Sequence, residues 1–451
     1  MHPNFIPGRF APRIAGIGVF ALLTYSVLAD NPSKIVRSIF PDPSGTVATT
    51  GTIDPNSPFF QSLGTNGRSC GTCHQASDAW SVTPDHIRDR FEETLGLDPI
   101  FRPNDGANCD TLDVSSLHAR EMAYSLLLSK GLIRVALDVP ATPEFTVVNV
   151  DNPYGCSSKS KLSMYRRPLP STNLRFLSTV MWDGRESFPG NTLVQNLKHQ
   201  SNDATTGHAQ GAPISDAIQQ QIVDFELGLH TAQLHDHRAG DLSANGGHGG
   251  PLALSTQPFQ IGINDPLNPP FTPEAMDIFK NWLNLPPSPG GADAARRSIA
   301  RGEQLFNTKP IAITGVAGLN DLLGVPTLAG TCTTCHNTPN VGNHSVPLAI
   351  NIGVSDPSRR TPDLPLFTLE NAATHVQMQT SDPGRAMVTG KWADIGKTKG
   401  PVLRALAARA PYFHNGSARN LDDVVDFYSK RFGVIFTLQE KRDLVNFLNS
   451  L

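Results

Sequence analysis

The sequence lacks an excess of either charge and carries little charge of any kind. Lysine and arginine number 37 against 40 aspartates and glutamates, which gives a formal charge of −3, and charged residues make up only 17% of the chain. Electrostatic binding of nucleic acid needs a broad basic surface, which a chain of this composition does not supply. We therefore exclude general nucleic-acid binding.

Long hydrophobic runs are also missing, with one exception at the N-terminus. The segment 14–29 is apolar, follows two arginines, and ends in small residues up to Ala29. This pattern predicts a secretory signal peptide over residues 1–29, cleaved before Asp30, with an uncleaved membrane anchor as the alternative. The mature chain is then expected in the periplasm, a compartment in which disulfides form.

Cysteine is scarce, yet four of the six cysteines fall into two C-x-x-C-H units. The units are Cys70, Cys73 and His74 in the first, and Cys332, Cys335 and His336 in the second. Two thiols at this spacing can reach the two vinyl groups of one haem as thioethers, and the adjacent histidine then binds the iron as its proximal ligand. The spacing therefore predicts two covalently attached c-type haems.

Two other chemistries use paired cysteines. A zinc site needs four ligands close together, whereas these pairs lie about 260 residues apart in the sequence. A redox dithiol gains nothing from a histidine after each pair. The remaining cysteines, Cys109 and Cys156, are interpreted as a structural disulfide, with free thiols as the alternative.

The distribution of turn residues and apolar residues divides the chain. Residues 285–291 are rich in proline and glycine and indicate a linker, so we place a domain boundary near residue 290. Apolar residues recur at helical spacing in several segments. These segments are 119–137, which is broken by Gly131, and 214–236, 294–306, 421–432 and 437–451. The chain is expected to be mainly α.

Five short motifs carry a resemblance to a known family. They are Trp182–Arg185, which reads W-D-G-R, then Ser381–Arg385, Val388–Gly390, Pro401–Arg404 and Ala410–Gly416. With both C-x-x-C-H units, they make the chain resemble the bacterial di-haem cytochrome c peroxidases and their MauG-like relatives. The resemblance implies two c-type cytochrome domains with long loops. Residues 30–290 would form the N-terminal, peroxidatic haem domain with insertions, and residues 291–451 the C-terminal, electron-transfer haem domain.

The resemblance also implies roles for individual residues. His74 and His336 would be the proximal ligands of the first and second haems, and Trp182 would lie between the haems and help electrons pass. Tyr428 falls where the peroxidases carry a methionine ligand of the second haem and MauG-like members carry tyrosine; a core tyrosine is the alternative. His414 would support the haem environment.

The distal side of the first haem departs from the family pattern. The family has a glutamine and then a glutamate after W-D-G-R; Gln200 matches the glutamine, but no glutamate lies in residues 202–210. His208 stands near that place and is our candidate proton carrier, with a surface histidine as the alternative. His86 is a candidate removable ligand in the resting state.

A calcium ion often lies between the haems of this family, held largely by backbone oxygens. The corresponding segment here is Arg409–Pro411, in which an arginine replaces the common threonine. Asn173 could supply a side-chain oxygen. The resemblance thus raises calcium as a second cofactor, although the arginine departs from the pattern.

Three functions are compatible with these features. The first is reduction of hydrogen peroxide with electrons from a small donor protein, either a cytochrome c or a cupredoxin. The second is a MauG-like oxidase that acts on a partner protein. The third is an electron-transfer cytochrome without peroxide turnover. The resemblance further raises a homodimer as an expectation.

Overall fold

The computed structural model describes residues 35–37, 44–156, 158–260, 263–266, 270–287, 289–336, 338, 342–343 and 349–451. Residues 1–29, for which the sequence predicts a signal peptide, lie outside these described residues. Among the helices that are described, none has both the length and the apolar character needed to cross a bilayer.

Helices and strands alternate along the described part of the chain. The α-helices are α1 (Cys70–Cys73), α2 (Pro84–Thr94), α3 (Leu117–Ala123), α4 (Ser125–Lys130), α5 (Leu193–Gly207), α6 (Asp216–Leu227), α7 (Pro251–Ser255), α8 (Gly291–Thr308), α9 (Asn320–Leu323), α10 (Ala386–Thr389), α11 (Leu421–Phe432) and α12 (Leu438–Asn449). The strands are β1 (Ile35–Arg37), β2 (Ser44–Ala48), β3 (Ile133–Asp138), β4 (Phe145–Asp151), β5 (Lys161–Arg166), β6 (Leu229–Gln233), β7 (His235–Asp236), β8 (Gly240–Asp241), β9 (Ile311–Thr314), β10 (Thr327–Gly330), β11 (Leu366–Asn371) and β12 (Gln377–Thr380).

The expectation of a mainly α chain is confirmed only in part, because short strands accompany the helices. The helical spacing over 119–137 breaks at Gly131, as the sequence indicates, but the residues after the break form a strand and not a helix: α4 ends at Lys130 and β3 begins at Ile133. Gly131 ends α4 in the left-handed conformation, with φ 62°. The residues that follow include β-branched side chains and pair with β5 in an antiparallel ladder.

The helix predicted over 214–236 is also shorter than expected. It ends at Leu227, and β6 follows and pairs with β2. A second three-stranded sheet has the order β12-β11-β4, so a strand that precedes residue 290 pairs with one that follows it. The domain boundary near residue 290 stays a prediction. The backbone hydrogen bonds between β4 and β11 connect the part of the chain before this residue with the part after it.

The helices predicted in the C-terminal third are confirmed. They are α8, α11 and α12. Thr437 and Glu440 form the expected capping box at the start of α12. α12 crosses α8 at Gly302, where an added Cβ would lie 2.0 Å from the carbonyl oxygen of Asp443. Only glycine allows this approach, and it brings the core side chains of the two helices together beside the second C-x-x-C-H unit.

The cysteines divide as the sequence predicts. Cys109 and Cys156 form a disulfide. The bridge links the loop after α2 to the loop between β4 and β5. The other four cysteines, all of them in the C-x-x-C-H units, form no disulfide.

Candidate functional site

The first C-x-x-C-H unit is shaped by one turn of helix. α1 spans Cys70–Cys73, and Ser69 and Thr72 form a capping box at its start, so the two thiols project from the same face. His74 follows, and its Nδ1 lies 2.9 Å from the carbonyl oxygen of Trp80. Nδ1 therefore carries the donated hydrogen, which leaves the lone pair of Nε2 to bind a metal ion.

The second unit repeats this arrangement. Cys332–Thr334 form a 3-10 turn, and Nδ1 of His336 lies 2.8 Å from the carbonyl oxygen of Gly342. The hydroxyl of Tyr428, on α11, lies 3.4 Å from Nε2 of His336. A second potential iron ligand thus faces the imidazole within one cavity, where the resemblance placed it.

The surroundings of the thiols do not favour redox or zinc chemistry. Burial raises the pKa of Cys332 and Cys335 to about 12, whereas reactive redox thiols have a lowered pKa. Within the described ranges, the clusters of three potential metal ligands include neither C-x-x-C-H pair. These observations favour the thioether interpretation over both alternatives.

Each unit opens into a large apolar cavity. The first cavity encloses about 1470 Å³ and the second about 1670 Å³, their open mouths included. Burial lowers the pKa of His74 and of His336, so both imidazoles are neutral near pH 7, the form that binds a metal. The residues therefore fit haem c in both cavities.

One set of residues, which we call the partition, lines both cavities. It consists of Arg167–Pro170, Trp182, Lys399 and Val402. Its cationic side chains are buried, and burial lowers the pKa of Arg167 to about 10 and that of Lys399 to about 8. Buried cations need a compensating negative charge. The propionate groups of two haems would supply it, which is a second sign that these cavities fit haem.

Trp182 lies in the partition, where the resemblance predicts an aromatic residue between the haems. Its Nε1 donates a 2.8 Å hydrogen bond to the carbonyl oxygen of Arg167. The ring centroid lies 5.9 Å from that of His414, a buried histidine whose Nε2 is 3.2 Å from the hydroxyl of Ser355. Burial lowers the pKa of His414 to about 4, so His414 is a neutral member of the second cavity wall.

The family motifs meet around one buried arginine. Asp183, from W-D-G-R, and Asp382, from the later S-D-P-G-R motif, both bind the guanidinium of Arg166. The positive charge of Arg166 opposes the effect of burial and holds the pKa of Asp183 down to about 2. This network explains why both motifs carry aspartate, since it fixes the backbone next to Trp182.

The candidate distal residues both line the first cavity. Gln200 lies on α5 and His208 caps its C-terminal end. The imidazole Nδ1 of His208 is hydrogen-bonded to the carboxylate of Asp105, which also pairs with Arg68. His208 retains 39% exposure, whereas Asp105 retains 9%. The His208 side chain is therefore partly exposed, and it lies between the first cavity and the solvent.

Sequence reasoning missed a carboxyl group in the same cavity. Glu226, on α6, is only 5% exposed, and its Oε2 has no hydrogen-bond partner in the described structure. Burial raises its pKa to about 8, so it holds a proton at neutral pH. Glu226 lies beyond residues 202–210, where the family pattern places its glutamate. It reaches the cavity because α6 packs against α5.

Replacing this carboxyl group is expected to change how stability depends on pH. The pKa of Glu226 rises from 4.5 to about 8 on folding, so the folded chain binds more protons in this range and its stability falls as pH rises. Glu226→Gln should therefore gain melting temperature relative to wild type between pH 5 and pH 8. Thermal unfolding at both pH values measures this, with the exposed Glu93→Gln as control. A parallel pH dependence in both variants would contradict the prediction.

Two other expected site residues lie elsewhere. His86 is bonded to Asp78 and is not among the residues that line the first cavity. Asn173 uses both ends of its side chain on strand β6: Oδ1 accepts from the amide of Thr231 at 3.0 Å, and Nδ2 donates to the Thr231 carbonyl at 2.8 Å. Its oxygen therefore already accepts one hydrogen bond from the main chain.

Comparison with known proteins gives several relatives. The chain is 30% identical over 182 residues to cytochrome-c peroxidase IdrP1 of a Pseudomonas species, covering 36% of this chain and 42% of that protein. It is 34% identical over 134 residues to cytochrome-c peroxidase IdrP2 of Denitromonas iodatirespirans, covering 27% of this chain and 36% of that protein. It is 31% identical over 121 residues to cytochrome c551 peroxidase of Nitrosomonas europaea, covering 27% and 30%.

The chain is similar to bacterial cytochrome c peroxidases. The resemblance that the motifs predict is thereby confirmed, although the chain spans less than half the length of these curated relatives. No protein-family model matches it. One solved structure is described as a MauG-like protein associated with microbial copper homeostasis. Its alignment with this protein covers 87% of this chain and 85% of that chain, at 16% identity and a TM-score of 0.38. That score is too low to establish a common fold.

Proposed function

We propose that this chain is an exported di-haem c-type cytochrome that reduces hydrogen peroxide to water. The observation that carries the proposal is the pair of cavities, each built around a C-x-x-C-H unit and separated by the partition that contains Trp182. The names of its relatives support the same activity. Reduction consumes two electrons and two protons for each peroxide, and it releases two molecules of water.

The protein would hold each haem through residues already in place. In the first cavity, Cys70 and Cys73 would form the thioethers, and Nε2 of His74 would bind the iron. Cys332, Cys335 and His336 would do the same in the second cavity. When bound, haem supplies an iron that binds peroxide at an open position and exchanges electrons.

Proton transfer in the first cavity falls to the side chains around it. An imidazole at His208 can accept a proton from one peroxide oxygen and return it to the other, so that water leaves. Asp105 binds Nδ1 of that ring, which directs Nε2 to the exchange. Glu226 is a buried, protonated carboxyl in the same wall and can donate a second proton, while Gln200 can hydrogen-bond the substrate.

The electrons would come from outside the chain. A small cytochrome c or a cupredoxin in the periplasm would reduce the second haem, and the indole of Trp182 would lie on the path to the first cavity. We include a homodimer in the proposal on the strength of the resemblance.

A MauG-like oxidation of a partner protein is the second candidate, and Tyr428 favours it. Its hydroxyl lies 3.4 Å from Nε2 of His336 in the same cavity, so Tyr428 would be available as a second ligand of a bound iron. Oxygen ligands favour oxidised iron and lower its reduction potential relative to a thioether.

Tyr428→Met is expected to raise the reduction potential of the second haem by roughly 100 mV or more, because a thioether favours reduced iron. Spectroelectrochemical titration of the holoprotein measures this shift. Tyr412→Phe is the matched control, since Tyr412 lines the same cavity but donates its hydroxyl to the carbonyl of Leu406 at 2.9 Å. An unchanged potential in Tyr428→Met would exclude the tyrosine as a ligand.

The resting spin state of the holoprotein tests the proposal. An open iron site predicts one high-spin and one low-spin haem in the electron paramagnetic resonance spectrum. Mixing with hydrogen peroxide should then change the visible spectrum within the stopped-flow time range, and turnover with a reduced donor should follow. Two low-spin haems that do not respond to peroxide would instead identify an electron-transfer cytochrome.

A further inference from the structure

Two arginine side chains meet at the edge of the partition without a carboxylate partner. Arg167 is 5% exposed, and Arg409 lines the second cavity. Neither forms an ion pair with a carboxylate in the part of the chain that the structure describes, and the side-chain hydrogen bonds of both run to main-chain carbonyl oxygens there. Each guanidinium is thus a cation enclosed by backbone dipoles.

The side chain of Arg409 is hydrogen-bonded to the turn that comes just before it in the sequence. Its Nη2 donates to the carbonyl oxygens of Val402 and Arg404, both at 2.8 Å, and its Nε donates to that of Ala405 at 3.3 Å. The planar guanidinium of Arg409 therefore binds three carbonyl oxygens of the turn that precedes the A-P-Y-F-H motif. A threonine at this position could not reach or donate to all three oxygens.

Arg167 joins the two halves of the chain. Its Nη2 donates to the carbonyl oxygens of Val82 at 2.7 Å and Arg409 at 3.1 Å, and its Nη1 donates to that of Lys130 at 2.6 Å. The carbonyl oxygen of residue 409 is thus the point at which the two arginines connect.

A cluster of backbone carbonyl oxygens is the donor set that hard cations such as calcium prefer. In the expected segment, the carbonyl oxygen of Arg409 already accepts a hydrogen bond from the guanidinium of Arg167. The guanidinium of Arg409 itself binds carbonyl oxygens of the preceding turn. The side-chain oxygen of Asn173, the other expected ligand, is engaged by the amide of Thr231. A divalent cation bound to the Arg409 carbonyl would compete with the guanidinium of Arg167 and be repelled by the charge of both arginines, so these residues do not fit calcium.

We propose that the guanidinium groups of Arg167 and Arg409 take the place of a divalent cation between the two cavities. They hold the partition through directed hydrogen bonds, and the chain needs no calcium for this purpose. Arg167 also connects this cation pair to the site: its carbonyl oxygen accepts from Trp182 Nε1 at 2.8 Å, and its amide donates to the carbonyl of His414 at 2.7 Å. The pair therefore positions the aromatic residue of the partition.

The first test uses the wild-type holoprotein. It is dialysed against a calcium chelator and then compared with samples that receive calcium chloride or magnesium chloride. We expect the same melting temperature and the same haem spectrum in all samples, and calcium well below one equivalent per chain by elemental analysis. One tightly held calcium per chain, or a melting temperature that falls with chelator and recovers with calcium, would overturn the proposal.

The second test replaces the arginine by the residue it displaces. Arg409→Thr removes three partly buried hydrogen bonds and is expected to lower the melting temperature by about 5 °C. Arg419→Thr is the control, because Arg419 is 83% exposed and pairs only with Asp423 on the surface, where an ion pair contributes little. Equal melting temperatures for Arg409→Thr and wild type in chelator would also overturn the proposal.

These measurements do not depend on the proposed peroxidase activity. Melting temperature, haem spectrum and bound calcium are read without substrate, so a chain that fails to reduce peroxide can still support or contradict the role of the arginines. If Arg409→Thr does not fold, the chelation arm on the wild-type protein still decides the question.

Discussion

Replacement of both thiols of the first unit, Cys70→Ser/Cys73→Ser, is expected to remove one of two covalently bound haems and to abolish peroxide turnover. Serine cannot form a thioether with a vinyl group, and the first cavity holds the candidate distal groups. Mass spectrometry of the exported protein should show one added group of ~616 Da instead of two. Steady-state assays with peroxide and a reduced donor should then show no activity above background.

The equivalent change in the second unit, Cys332→Ser/Cys335→Ser, should have a different signature. The first cavity and its proton-transfer residues remain, so a single addition of peroxide should still change the spectrum of the remaining haem. Sustained turnover should stop, because the route from the donor passes through the second cavity. Two variants with identical behaviour would contradict the division of labour between the cavities.

The disulfide provides the matched control. Cys109→Ser/Cys156→Ser also removes two cysteines, but the bridge lies outside both cavities. This variant should keep two haems and lose only stability, by about 2–4 kcal/mol. Two added groups on the Cys70→Ser/Cys73→Ser chain would show that the haem is attached elsewhere, and the assignment of that unit would fail.

The haem units could be predicted from the sequence because their chemistry is local. Two thiols and an imidazole within five residues specify one cofactor and its ligand, and the fold has only to bury them. The capping boxes at Ser69 and Thr331 show how the flanking residues support that short turn. The C-terminal helices were predictable for a similar reason, since helical spacing of apolar residues is also a local signal.

The rest of the site depends on contacts between distant segments. Asp105 meets His208 across 103 residues, and Glu226 reaches the first cavity only because α6 packs on α5. Neither residue stands in a motif, so no pattern in the sequence pointed to it. The carbonyl oxygens that accept hydrogen bonds from Arg167 could not be predicted either. They are backbone atoms, and their positions follow from the fold and not from side-chain identity.

The strands illustrate a further limit of local reasoning. The apolar spacing over 119–137 fits a helix, but Gly131 ends α4 and the next residues find partners in β5. A helical pattern cannot compete once a strand partner about 28 residues away supplies a full ladder of hydrogen bonds.

His208→Gln is expected to slow the reaction with hydrogen peroxide by roughly 10²–10⁴-fold, the usual contribution of a positioned acid–base group. Glutamine keeps a hydrogen-bonding side chain of similar length but cannot accept and return a proton near pH 7. The second-order rate constant from stopped-flow mixing measures the loss. The resting spectrum and the haem content should remain those of wild type, which separates a proton-transfer defect from misfolding.

Asp105→Asn should have a smaller effect, about 10–100-fold, because Asp105 acts by holding the ring of His208. The double variant should then be no slower than His208→Gln alone, since the carboxylate has no ring left to orient. Glu186→Gln is the matched control: Glu186 binds Nδ1 of His199 at 2.7 Å, but neither residue lines the first cavity. A rate for His208→Gln equal to that of wild type would remove this histidine from the mechanism, and additive losses in the double variant would assign Asp105 a separate role through Arg68.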